Sequence, residues 1–123
     1  MKSVNLRWER FESFVRAWEA YRAIPCVYVV AGSSGQALRV DWAGEGLGAK
    51  YDGGQGFTVA AAMHRSGNLI FVARTAYRSC REVRNELRYA YRESLPFNDR
   101  SKATTPSQRL FLVHGGDAPT FCS

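Results

Sequence analysis

The chain has 123 residues, 46% of them hydrophobic and 13% aromatic, and a net charge of +6. That length and apolar content suit a single domain over residues 1–123 with a real core, and they argue against a disordered chain. No run approaches the roughly 18 apolar residues of a membrane span, and the amphipathic start lacks a signal-peptide core, so the expected setting is cytoplasmic with no membrane partner.

The elements follow in chain order. Trp8, Phe11, Phe14, Val15, Trp18 and Tyr21 recur at three- and four-residue steps, which predicts a helix over residues 6–22, with Asn5 as its cap. Pro25 ends that register and feeds a strand. Residues 26–31 and 37–43 are rich in Val and aromatics and flank Gly32-Ser33-Ser34-Gly35, a hairpin signal. Residues 44–56 hold six of the eleven glycines and read as a functional loop with a short helical turn near Leu47–Tyr51. A helix over 58–65, stopped by Ser66-Gly67, leads into a buried strand over 68–73. Residues 78–95 give the clearest helical pattern, 99–108 a polar basic loop, 109–114 a last strand, and the end of the chain a tail.

Of the 17 basic residues, 14 are arginine. A basic surface favours polyanions, above all nucleic acid, and a guanidinium grips phosphate in two places. An acidic protein partner suits the same charge, and so does a plain arginine-rich coding bias. Cys26, Cys80 and Cys122 show no CxxC spacing, which argues against a structural zinc site; the first two read as small core residues and the third as a tail thiol.

On a helical wheel, Cys80, Val83, Leu87, Ala90 and Tyr91 form the buried face of residues 78–95. Arg81, Arg84, Arg88 and Arg92 line one flank, either as a phosphate track or as a solvated face. Glu82, Glu86 and Glu93 line the other. Glu82 and Glu86 stand four apart and repel unless a metal ion or an arginine such as Arg78 lies between them. Glu86, at the border of the buried face, is placed to hold Mg²⁺ with the help of water.

Val27-Tyr28-Val29-Val30, the turn, the second strand through Trp42, and the later helix with Glu86 before Pro96-Phe97-Asn98 together resemble the GIY-YIG nuclease family. The resemblance runs from Pro25 to Asn98, and the separation 98 − 86 = 12 fits it. It implies a small α/β domain built on a three-stranded antiparallel sheet flanked by helices, here with an added N-terminal helix and C-terminal strand. It implies that Tyr28 activates the attacking water, that Glu86 binds Mg²⁺ or Mn²⁺, and that Asn98 supports the site. A phenol near pKa 10 needs a neighbouring cation for such work.

The chain also departs from the family pattern. Arg39 stands where the second motif has tyrosine, Asp41 where it has glycine, and Trp42 where lysine is common. The helical arginine falls at Gly48 or, in the preferred register, at Lys50, a point charge without the guanidinium fork. Gly54 or Tyr51 takes a position that is often histidine or tyrosine. Arg39 or Lys50 is left to neutralise phosphate, and Asp41 to pair with one of them or to add a second carboxylate.

Among the remaining candidates, His64 is a helix-end residue with a general-base role as the lesser alternative, and His114 closes the last strand. Trp42, Tyr51 and Phe57 are either core or surfaces for stacking unpaired bases. The expectation is a GIY-YIG-like nucleic-acid-binding protein with weak or lost endonuclease activity, DNA ranking ahead of RNA. The alternatives are an active metal-dependent endonuclease and a small interaction or inhibitor protein, a role that suits a phage or mobile element.

Overall fold

The computed structural model describes residues 2–33, 35–51, 68–91 and 110–119. Their elements are β1 (Lys2–Phe11), α1 (Phe14–Ala20), β2 (Cys26–Ala31), β3 (Ala37–Ala43), α2 (Leu47–Tyr51), β4 (Leu69–Arg74), α3 (Tyr77–Ala90) and β5 (Leu110–Gly116). The expected helix over 58–65 and the expected loop over 99–108 lie outside the described residues. None of the described helices is long and apolar enough to cross a membrane.

The architecture is mixed α/β, with one five-stranded sheet in the order β3-β2-β4-β1-β5. Within it β3 and β4 each run antiparallel to β2. Two further strands enlarge it: β1 runs antiparallel to β4, and β5 runs parallel to β1 from Lys2↔Leu110 to Trp8↔Gly116.

The N-terminal helix over 6–22 is corrected. Residues 2–11 form a strand, and only Phe14–Ala20 is helical. The reason is a period of two that the aromatic spacing concealed. Leu6 and Trp8 are buried while Asn5, Arg7 and Glu9 between and beside them are exposed, the signature of a half-buried strand. Ser13, extended at φ −134 and ψ 130, separates the two elements. Trp8 belongs to the strand, Phe14 and Ala17 to the buried side of the helix, and Val15 is 51% exposed.

Every residue of β2 is buried, because both faces of the sheet are covered there. Val27, Val29 and Ala31 pack with Leu6, Trp8, Val40, Phe71 and the α3 stripe Cys80, Val83 and Leu87. Cys26, Tyr28 and Val30 pack on the opposite side with Phe14, Ala17, Tyr21 and Leu47. Helices α1 and α2 therefore cover one face, and α3 covers the other. Cys26 and Cys80 are buried free thiols, as small core residues should be.

Two glycines fix α2 beneath the end of α1. Leu47 N–H donates to the Tyr21 carbonyl at 2.8 Å and Gly48 N–H to the Arg22 carbonyl at 3.0 Å. Gly46 has φ +95, and a Cβ there would strike the Arg22 backbone; a Cβ at Gly48 would press the same carbonyl at 2.7 Å. This close approach brings Lys50 and Tyr51 up to the hairpin.

Candidate functional site

The site is centred on Asp41. Strand pairing sets Asp41 of β3 directly opposite Tyr28 of β2, on the face covered by α1 and α2. Arg39 lies two residues earlier on the same face, with Nη2 2.5 Å from Asp41 Oδ2. Lys50 Nζ, carried in by α2, is 3.1 Å from the same oxygen and donates to the Trp42 carbonyl at 2.7 Å. The Trp42 N–H donates to Asp41 Oδ1 at 2.8 Å. From the other side of the sheet, Arg84 of α3 reaches round the edge strand β3 to place Nη1 3.9 Å from Asp41 Oδ1.

Tyr28 completes the cluster. Its hydroxyl shares a hydrogen bond with that of Tyr51 at 2.5 Å, and the Lys50 ammonium lies 5.5 Å from its ring centroid. The Tyr51 ring in turn meets Phe14 edge-on, with centroids 5.2 Å apart.

Among the described residues one carboxylate faces three cations here, a surplus of two positive charges. Burial pushes the Asp41 carboxyl up, but Lys50, Arg39 and the Trp42 N–H together outweigh it and hold the pKa below the ordinary aspartate value. Burial lowers the Lys50 pKa, and repulsion from Arg39 and Arg84 adds to that against the pull of Asp41. Burial likewise lowers Arg84, with Arg88 and Arg81 adding repulsion. Burial, then the charge of Asp41 and the contact with Tyr51, pushes the Tyr28 phenol well above its ordinary value. Burial moves Tyr51 up to about 12. Both phenols are held protonated at neutral pH, as hydrogen-bonding groups rather than bases.

The expected site residues divide accordingly. Tyr28, Arg39 and Lys50 come together, joined by Asp41, Tyr51 and Arg84. Glu86 belongs elsewhere. It lies on α3, whose apolar stripe packs the face of the sheet opposite Tyr28, and it stands about 200° round the helix from Arg84, the residue that reaches the cluster. Asn98 lies outside the described residues.

The described arginines of the expected phosphate track stand in different surroundings. Arg81 is exposed, but Arg84 turns to Asp41 and Arg88 is only 8% exposed, while Arg92 lies outside the described residues. His114 is structural: its Nδ1 accepts the Trp8 indole N–H at 3.0 Å. His64, Phe57, Gly54 and Cys122 lie outside the described residues.

The donor set does not fit a divalent cation at this cluster. Among the described residues its one carboxylate is already held by three cations, and Glu86 stands about 200° round α3 from Arg84. Among the described residues no group of three or more His, Cys, Asp or Glu side chains gathers to hold a metal ion. What the arrangement can do chemically is attract an anion.

The sequence offered Arg39 or Lys50 as a partner for Asp41, and both lie against it. It could not indicate Arg84, which belongs to the opposite layer and arrives only by crossing the sheet edge. Comparison with protein-family models, curated proteins and solved structures finds no match for this chain.

Proposed function

We propose that this protein is a GIY-YIG-like nucleic-acid-binding protein in which phosphodiester cleavage is weak or lost. The observation that carries this reading is the Asp41 cluster, where Arg39, Lys50 and Arg84 surround a single carboxylate. Its surplus positive charge attracts a polyanion. The same cluster withholds what hydrolysis would need. Tyr28 is fully buried and bonded to Tyr51, and its pKa moves away from the neutral range in which it could take a proton from water. The family likeness draws further support from the order β3-β2-β4, from α2 following the hairpin and from α3 following β4. DNA ranks ahead of RNA as the ligand.

The test is incubation of the purified chain with supercoiled plasmid and Mg²⁺ or Mn²⁺, alongside Glu86→Ala. The proposal expects salt-sensitive retention of the DNA with no nicking by either protein. Metal-dependent nicking that disappears in Glu86→Ala would establish the active endonuclease instead. Absence of both retention and nicking would leave the protein-partner alternative, which a pull-down would then examine.

A further inference from the structure

We infer that the seam between β3 and the start of α3 is a stacking site for unpaired nucleotides, a platform for single-stranded nucleic acid. This rests on the nucleic-acid-binding reading and specifies its substrate class. Tyr77, Arg81, Arg84 and Arg88 fall within about 60° of one another round α3. Arg84 of that stripe reaches Asp41, so the stripe faces the β3 edge.

The stripe begins with an aromatic ring that burial does not explain. Tyr77 is 60% exposed at the first turn of α3. A second ring stands beside it. A Cβ placed on Gly44 would lie 2.8 Å from Trp42 Cζ3 and 2.8 Å from Tyr77 Cε2, so rings from β3 and α3 converge on one bare stretch of backbone. Trp42 is half-buried, and its carbonyl accepts the Lys50 ammonium. The aromatic pair therefore adjoins the cationic cluster, with exposed Arg78 and Arg81 nearby on the helix. Exposed Glu45, next to Gly44, is the acidic neighbour at this end.

Adjacent rings and cations match the two parts of a single strand. An aromatic face stacks on a base whatever its identity, and guanidinium groups meet the phosphates. A duplex offers the phosphates but keeps its base faces stacked on each other. Arg81 and Arg84 serve either ligand, whereas Tyr77 serves only the unpaired one.

The experiment is fluorescence anisotropy of the full chain with labelled oligo-dT, oligo-U and a mixed-sequence duplex, using wild type, Tyr77→Ala and Tyr77→Phe. Tyr77→Ala should weaken binding to the better oligonucleotide by about ten-fold, Tyr77→Phe should retain it, and duplex binding should change little. The preferred oligonucleotide identifies DNA or RNA as the source. Matching circular dichroism of the variants excludes misfolding, since Tyr77 is outside the core. An unchanged oligonucleotide affinity in Tyr77→Ala, or an equal loss on oligonucleotides and duplex, would overturn the inference. Wild-type binding to the duplex alone would overturn it while leaving the nucleic-acid reading intact. Wild-type binding to none of the three would overturn both.

Discussion

Replacing Asp41 by asparagine removes the one negative charge that the described residues bring to a cluster of three cations, while nearly preserving its shape. With an effective dielectric near 20, a unit pair at the Lys50 separation of 3.1 Å is worth about 5 kcal/mol and one at the Arg84 separation of 3.9 Å about 4 kcal/mol, before desolvation. Taking Asp41 out of water and crowding three cations together consume most of that gain in the wild type. In the variant the cations remain and the compensation is gone. The side chains of Arg39, Lys50 and Arg84 are 18%, 30% and 18% exposed, too little for water to replace the carboxylate. Breaking a buried ion pair from one side typically costs about 3–5 kcal/mol, and the lower end applies here because the Lys50 side chain keeps 30% of its exposure. Urea unfolding followed by tryptophan fluorescence should therefore show Asp41→Asn about 3 kcal/mol less stable, beside a nearly unchanged Asp117→Asn, a substitution at an exposed residue. The acid limb supplies an internal check. The Asp41 pKa is lower folded than unfolded, so its contribution is fully present above its unfolded value of 3.8 and is lost as pH falls through the native value. That loss should be missing from the variant. Because the surplus rises from two charges to three, polyanion affinity should increase even as stability falls. A variant as stable as wild type would refute the assignment of Asp41 as the counterion of the site.

Other perturbations test neighbouring parts of the account. Gly46→Ala must fit a side chain at φ +95 against the Arg22 backbone, so it should lower stability by about 1–3 kcal/mol and loosen α2, as read by thermal melting; a neutral substitution would contradict the docking of α2. Tyr28 and Tyr51 have pKa values raised from 10 on folding, Tyr51 to about 12, so their contribution is complete below pH 10 and is lost as pH rises through the native values. Burial and the hydrogen bond to Glu9 push Tyr21 up as well, so absorbance at the phenolate band should show at least these three tyrosines titrating only with alkaline unfolding, and early titration of Tyr28 and Tyr51 would contradict their burial. Burial lowers the His114 pKa from 6.5, and its Nδ1 must stay unprotonated to accept the Trp8 N–H. Stability from this contact is complete above pH 6.5 and should decline as pH falls through the native value, visible as a change in Trp8 fluorescence; a flat profile would refute the hydrogen bond.

The hairpin and α3 were legible because their signals are local. Val27 to Ala31 and Leu38 to Ala43 flank a glycine-rich turn, and Cys80, Val83 and Leu87 repeat at helical spacing. Strand β1 was not, because Trp8 lies three residues before Phe11 and six before Phe14, so two elements imitate one helical stripe. Its strand character depends on partners far away, Ala73 on one side and Gly116 on the other. The site shows the same division. Arg39 and Asp41 share a face by elementary alternation, and Lys50 follows from a short α2. The separation of Tyr28 from Glu86 depends on which face of β2 each helix covers, and no local pattern encodes that. Tyr28 and Val29 are equally buried, in opposite layers.

The activity proposed for this site is binding of nucleic acid by surplus cations without cleavage. Its most direct measurement is the salt dependence of duplex and oligonucleotide binding in the presence of Mg²⁺, with the recovered nucleic acid inspected for breaks. The account predicts that log K falls linearly with log salt, with a slope of about −2 to −4 if two to four phosphates are neutralised, and that the recovered strands are intact. Affinity indifferent to salt, or strand breaks that require Mg²⁺ and vanish in Glu86→Ala, would contradict it.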